Sequence, residues 1–289
     1  MHRSNQEDTI VRYTAAKAVS RIVLSLPSSF SDEILSILFQ KLDEGLTKDE
    51  NEWDFFSVDE YSWHGCLLCL ADIAWHSGIQ GHNIESTMTY SLNVPFLKNP
   101  LIQALTFDFI KGQKPVGNAV RDAACYAIYS LVRTVSPTAD VPLTSWIGKI
   151  AVQLVCVATL DPSTTIRRAA SAAFQELVGR QSSGTETVPK GITVLSMMDY
   201  HAVGSRRGGF EVAGIVAEVD VGYRKGIVDW CVSRGVGHWE EKGREGVAKV
   251  LGRVFSVNRA GIIELLQRLV RYLLNWINCR LVFYQSWTS

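Results

Sequence analysis

The amino-acid sequence predicts an all-α fold, a solenoid of stacked helical pairs, and three observations carry that prediction. Apolar residues recur at helical spacing along most of the chain, with no convincing alternating strand and no Asn-Gly or Asp-Gly hairpin signal between apolar runs. One local pattern returns again and again: a polar turn, an aliphatic or small residue, Arg, then an Ala-rich amphipathic run. It reads IVRYTAAKAVSRI at 10–22, AVRDAACYAIYSLV at 119–132 and TIRRAASAAFQELV at 165–178, with weaker copies SWHGCLLCLADIA at 62–74, SRRGGFEVAGIVA at 205–217 and KGREGVAKVLGRV at 242–254. Aligning Arg12, His64, Arg121, Arg167, Arg206 and Arg244 gives intervals of 52, 57, 46, 39 and 38 residues, which bracket the roughly 40–47 residues of HEAT and armadillo units. Composition agrees: 289 residues, 47% hydrophobic and 20% charged, suffice to bury a core.

The helices are expected at 9–25, 31–43, 60–77, 95–108, 118–135, 142–160, 163–179, 187–197, 206–218, 223–233, 239–255 and 260–284. Ser31 precedes the acids Asp32 and Glu33, which favour a helix amino end. Pro142 suits a first turn, where its missing N–H costs nothing. Asp161-Pro162 stops one helix, and Ser163 or Thr164 can cap the next. Within each pair the Ala-rich helix is the inner one, because small side chains let neighbours approach while larger aliphatic residues fill the seam. A pair cannot bury its apolar face alone, so pairs stack. The recurrent arginines, Arg12, Arg121, Arg167 and Arg244, read first as structural positions reaching a carbonyl or carboxylate in the adjacent turn. Two segments interrupt the rhythm: 43–60, with eight acids and one Lys around Trp53, Phe55 and Phe56, and the polar 180–191. The first reads as a solvated loop or an acidic docking patch, the second as a surface loop. Gly222-Tyr223-Arg224 is Gly-rich for a helix, which blurs that repeat's boundaries.

With 29 basic and 29 acidic residues the net charge is zero, which disfavours nucleic-acid and membrane-surface partners. The charge is uneven, −5 over 1–200 (16 basic, 21 acidic) and +5 over 201–289 (13 basic, 8 acidic). Cys125, Cys156, Cys231 and Cys279 stand singly in apolar stretches, as buried free thiols do, and no apolar run reaches the roughly 18–20 residues of a membrane span. A soluble, cytoplasmic chain is expected. His64-Gly65-Cys66-Leu67-Leu68-Cys69 has the look of a metal or redox site but lacks further ligands, so core packing is the better reading. The glycines around Gly204–Gly209 and at Gly235 and Gly237 fit neither a phosphate loop nor a dinucleotide fingerprint, and no nucleophile elbow or zinc helix occurs. No metal, no cofactor and no catalytic residue is therefore expected, and a non-catalytic scaffold is.

The blocks VRDAACYAIYSLVR at 120–133, IRRAASAAFQELVGRQ at 166–181 and GITVLSMMDYHAVGSR at 191–206 resemble the central HEAT-repeat region of the tubulin-folding cofactor D family. WHGCLLCLADIA at 63–74, HWEEKGREGVAKVLG at 238–252 and DTIVRYTAAKAVSRI at 8–22 look like its flanking units in the same order, so the resemblance spans about 8–255. Family members are much longer, and the chain looks like a fragment. Its expected organisation is a repeat array over 1–257 and a divergent helix with an aromatic-rich tail over 258–289. The resemblance implies a chaperone that binds β-tubulin, works with cofactors C and E and a small Arf-like G protein, assists heterodimer assembly and stimulates GTP hydrolysis by tubulin. It implies a place at the microtubule cytoskeleton. The alternative is another HEAT or armadillo adaptor, in transport or signalling, with a different cargo. For partner binding the residues singled out are Tyr200, Arg206 and Arg207, an aromatic and two adjacent cations at the start of the basic third of the chain.

Overall fold

The computed structural model describes residues 8–43, 58–80, 99–133, 141–181 and 188–257, with 263, 266, 267 and 269–271. Its elements run α1 (Thr9–Ser25), α2 (Ser28–Asp43), α3 (Glu60–Gln80), α4 (Pro100–Leu105), β1 (Phe109–Lys111), β2 (Lys114–Val116), α5 (Asn118–Val132), α6 (Val141–Leu160), α7 (Thr164–Gln181), α8 (Gly191–Met197), a 3-10 turn Ala202–Gly204, α9 (Arg206–Val219), α10 (Val221–Trp230), a π-turn Cys231–Gly235 and α11 (Glu241–Val257). The fold is the all-α solenoid that the repeat pattern predicts.

The Ala-rich helices form one row, α1 against α3, α3 against α5 and α5 against α7, while α2, α4 and α6 back α3, α5 and α7 in a second layer. α6 also supports α9 and α10, and α9 packs on α11. The small residues do what the pattern asks of them: Ala123, Ala124 and Ala127 of α5 and Ala170 and Ala173 of α7 lie fully within the core, beside Ile128, Leu131, Phe174 and Leu177. Glycine takes over at the tightest crossing. A Cβ on Gly246 of α11 would sit inside the Phe210 ring of α9, so these two helices meet at a distance only a bare Cα permits.

Three sequence expectations are corrected. The helix expected over 95–108 is, in the described part, only Pro100–Leu105, opened by the Asn99 side chain accepting from the Leu101 N–H at 2.9 Å. The chain then turns into an antiparallel hairpin, Phe109 opposite Val116 and Lys111 opposite Lys114, where no strand was expected. Its turn is Gly112-Gln113, with Gly112 at φ 66°, a two-residue Gly-X connection rather than the Asn-Gly or Asp-Gly searched for. The helix expected from 187 begins at Gly191, after Lys190 in the left-handed region at φ 50°. The helix expected over 223–233 runs Val221–Trp230 and takes in the Gly-rich stretch at its start: the Asp220 carboxylate accepts from the Gly222 N–H, and Tyr223 is buried. Of the two loops, 44–57 and 182–187 lie outside the described residues, as does most of the helix and tail expected after 258.

Candidate partner-binding surface

Each Ala-rich helix is entered through a tight corner, and the corner carbonyls have no helical partner of their own. An arginine in the first turn carries five donors in a planar fork, which suits several such acceptors at once. Arg167 shows the arrangement in full: within its own corner it donates to the carbonyls of Asp161 (2.8 Å) and Pro162 (3.0 Å), and across to the next corner it reaches those of Val203 (2.7 Å) and Gly204 (3.2 Å). Arg12 donates through Nε to His64 Nδ1 at 2.8 Å, Arg121 pairs with Asp161 at 2.8 Å, and Arg206 pairs with Glu240 at 3.2 Å while donating back to the Leu160 carbonyl. Each of these four contacts leads from one repeat to the next. Arg244 is exposed and donates to the carbonyls of its own corner, His238 and Trp239.

Arg121, like Arg167, is fully buried. It donates to the Phe107 carbonyl and Asn118 Oδ1, both at 2.7 Å, and lies between two carboxylates, Asp161 and Asp108, the latter at 3.4 Å. Burial pushes the Asp161 carboxyl up against the pull of Arg121. Burial acts on Asp108 in the same sense, yet hydrogen bonding from His238 and the charge of Arg121 hold its carboxyl below the usual range. His238 and Arg234 come from a corner far along the chain: His238 Nε2 meets Asp108 at 3.0 Å, and Arg234 donates to the Thr106 carbonyl at 3.1 Å. These groups border a cavity of about 420 Å³ that Trp230 and Trp239 also line. None of Asp108, Arg234 and His238 was singled out from sequence, because nothing local signals a contact between residues so far apart.

The segment 199–211 holds the three residues chosen as partner contacts. Asp199 closes its turn by accepting from the N–H groups of His201 and Ala202. Tyr200 is 60% exposed, and the Arg168 guanidinium lies over its ring at 3.6 Å. Arg206 is half-buried, and burial lowers its pKa; its fork is engaged in the corners and its guanidinium carbon lies 4.8 Å from the Phe210 ring centre. Arg207 projects into solvent, 91% exposed, held only by Glu211 one turn on at 2.9 Å. The structure thus separates the two adjacent cations, one into the corner and one outward. Arg168, missed in the sequence, joins the outward group for the same reason: next to a buried arginine, a helical neighbour is rotated about 100° off the core face.

Residues 1–192 match the family model described as tubulin-specific chaperone D-like, ARM repeats. The chain belongs to this family. It is 30% identical over 259 residues to tubulin-specific chaperone D of Dictyostelium discoideum and 28% identical over 199 residues to tubulin-folding cofactor D of Schizosaccharomyces pombe. These alignments take in 89% and 68% of this chain but 16% of each relative, so the chain spans about a sixth of the proteins it resembles. No solved structure gives a significant match. Arg12, His64, Arg121 and Arg167 fall inside the stretch matched by the chaperone D-like model, and Tyr200, Arg206, Arg207 and Arg244 fall beyond it.

Within this ARM-repeat array the Cys-x-x-Cys segment is packed core. His64 is buried, and burial together with the Arg12 charge lowers its pKa to about 4, so the ring is the neutral acceptor that Arg12 requires. Cys66 and Cys69 are buried and form no disulfide, and burial pushes the Cys69 thiol up to about 12. Among the described residues no group of three or more His, Cys, Asp or Glu side chains is placed to hold a metal ion, and no helix is long and apolar enough to cross a membrane.

Proposed function

We propose that this chain is a segment of a tubulin-folding chaperone, a non-catalytic cytoplasmic scaffold of the microtubule cytoskeleton that binds β-tubulin and assists assembly of the α/β heterodimer. In this reading it works with cofactors C and E and a small Arf-like G protein, and the GTP hydrolysis it stimulates is tubulin's own. Membership of the chaperone D-like family carries the proposal. A helical array suits the role, since stacked repeats offer an extended surface to another protein. The proposed contact is the outward part of 199–211, Tyr200 with its stacked Arg168, and Arg207, with Arg206 anchoring the corner behind them. Positive charge there would steer an acidic partner.

The test is capture of β-tubulin by the full-length protein carrying Arg207→Glu. At low salt the association rate should fall several-fold, the difference shrinking as salt rises, while the helical circular-dichroism signal stays unchanged. An unchanged rate and affinity at both low and moderate salt would remove this patch from the interface.

A further inference from the structure

Among the described residues the row of Ala-rich helices leaves one face open, and its chemistry is opposite in sign to the Arg207 patch. α5 is flanked by α3 and α7 and backed by α4. The side chains left over recur at helical spacing: Asp122, Tyr126, Tyr129 and Arg133 are each half-buried on a helix whose other residues, from Val120 to Val132, are buried. Neighbouring helices extend this strip. The Tyr126 hydroxyl donates to Asp72 of α3 at 2.9 Å, and Trp75 of α3 stacks on Tyr129 with ring centres 6.0 Å apart. Tyr13 of α1 is near enough for its phenol to feel both Asp122 and Asp72, which, with burial, raise its pKa.

The two ends of the strip differ. At one end the chain supplies its own cation: Arg133 lies 4.4 Å from the Trp75 ring centre, also faces Tyr129, and is paired with Glu176 at 3.4 Å. A guanidinium against aromatic rings with a carboxylate beside it is a favourable arrangement. At the other end the same ingredients occur without a paired cation: the Arg12 charge acts on Tyr13, but its Nε is turned onto His64. Asp72 and Asp122 lie among Tyr13 and Tyr126, and among the described residues no Lys or Arg forms an ion pair with either carboxylate. Asp122 accepts no hydrogen bond there, and burial pushes its carboxyl up. A half-buried carboxylate with neither donor nor counter-ion gains from an incoming cation.

We propose that this end of the strip docks a basic segment of a partner protein, which places an arginine or lysine between Asp122 and Asp72 with its aliphatic stem along Tyr13 and Tyr126. The occupant repeats what Arg133 does at the other end. The inference does not depend on the tubulin reading, because it concerns a different face and a ligand of the opposite charge.

The experiment measures fluorescence anisotropy of a short labelled arginine-rich peptide titrated with the 289-residue chain, beside serine and glutamate versions of the same peptide. The arginine peptide should bind at low salt and the other two should not. Asp122→Asn, which keeps the shape of the side chain, should weaken binding about tenfold, whereas Glu245→Gln, removing the same charge from an exposed site on α11, should change it by less than about twofold. Equal weakening by both variants would mean attraction by overall charge alone and would overturn the proposal. So would equal binding of the serine peptide, or no binding of the arginine peptide by chain that circular dichroism reports as helical.

Discussion

Replacing Arg121 by Met keeps most of the side-chain volume and removes the fork. Its consequences follow from what the fork touches: Asp161 and Asp108 lose their cation, and the Phe107 carbonyl and Asn118 lose their donors. The Arg121 and Asp161 side chains are only 2% and 5% exposed, so bulk water compensates poorly for the lost partner. Removing one partner of a buried ion pair costs about 3–5 kcal/mol, because the remaining charge is stranded. Against a total stability of roughly 5–15 kcal/mol this is a large share, and it should lower the melting midpoint by about 10 °C. The exposed Arg244, changed to Met, should cost less than about 1 kcal/mol. Urea unfolding followed at 222 nm measures both. The acid side supplies an independent sign. Without Arg121 the folded-state pKa of Asp161, already raised, rises further above its unfolded value, so the variant loses stability as pH rises and its deficit against wild type narrows as pH falls toward about 4. Equal losses for Arg121→Met and Arg244→Met, or a deficit that widens on acidification, would refute the reasoning.

His64 should make the chain acid-sensitive. Its folded-state pKa of about 4 lies below the unfolded value near 6.5, so the unfolded chain binds more protons between these limits and stability rises with pH across that window, by about 2–3 kcal/mol after allowance for solvent screening. His64→Gln, which keeps an acceptor for Arg12, should flatten the difference between urea midpoints at pH 4.5 and 7.5, chosen as roughly the ends of that range; an unflattened profile counts against the assignment. Gly117 opens α5 at φ 107°, and a Cβ there would collide with the Phe107 carbonyl, so Gly117→Ala should destabilise by roughly 2–4 kcal/mol. Gly112→Ala, at φ 66° with open space around it, should cost only about 1 kcal/mol, and thermal melts that rank the two the other way would show the corner to be more yielding than its geometry.

The repeat was legible in the sequence because its signal is local and recurs. Arg121 and Arg167 are followed by alanines at helix-face spacing in two independent copies, and α1, α3, α5, α6 and α7 lie within a few residues of where periodicity puts them. The hairpin at 109–116 was not legible: three-residue strands carry too little alternation, and Lys114-Pro115 reads as a breaker. α4 ends at Leu105, where the Thr106 hydroxyl caps the carbonyls of Ile102 and Gln103 before the chain turns into the hairpin, an ending that no apolar count registers. The open-face strip was visible in principle, since Asp122, Tyr126, Tyr129 and Arg133 share a face at helical spacing. Sequence alone could not tell that face from one covered by another layer. Only the packing of α5 against α3, α4 and α7, the main neighbours among the described residues, identifies it.

In a solenoid, stability is commonly the sum of each repeat and its interface with the next, and curvature follows from small rotations at those interfaces. The corner contacts described here add something different. The arginine contacts join successive corners, from Arg12 to His64, from Arg121 to Asp161, from Arg167 to Val203 and from Arg206 to Glu240. The contacts of Arg234 and His238 with Thr106 and Asp108 skip the two corners in between. His238 Nδ1 accepts from the Glu240 N–H, which leaves Nε2 to face Asp108. The closure shares Asp108 with Arg121. Changing the angle at either intermediate corner would pull His238 from Asp108 and unbalance Arg121 at once. Side chains gathered at one edge thus tie the corner at 106–108 to the one at 234–240, in addition to the helix interfaces.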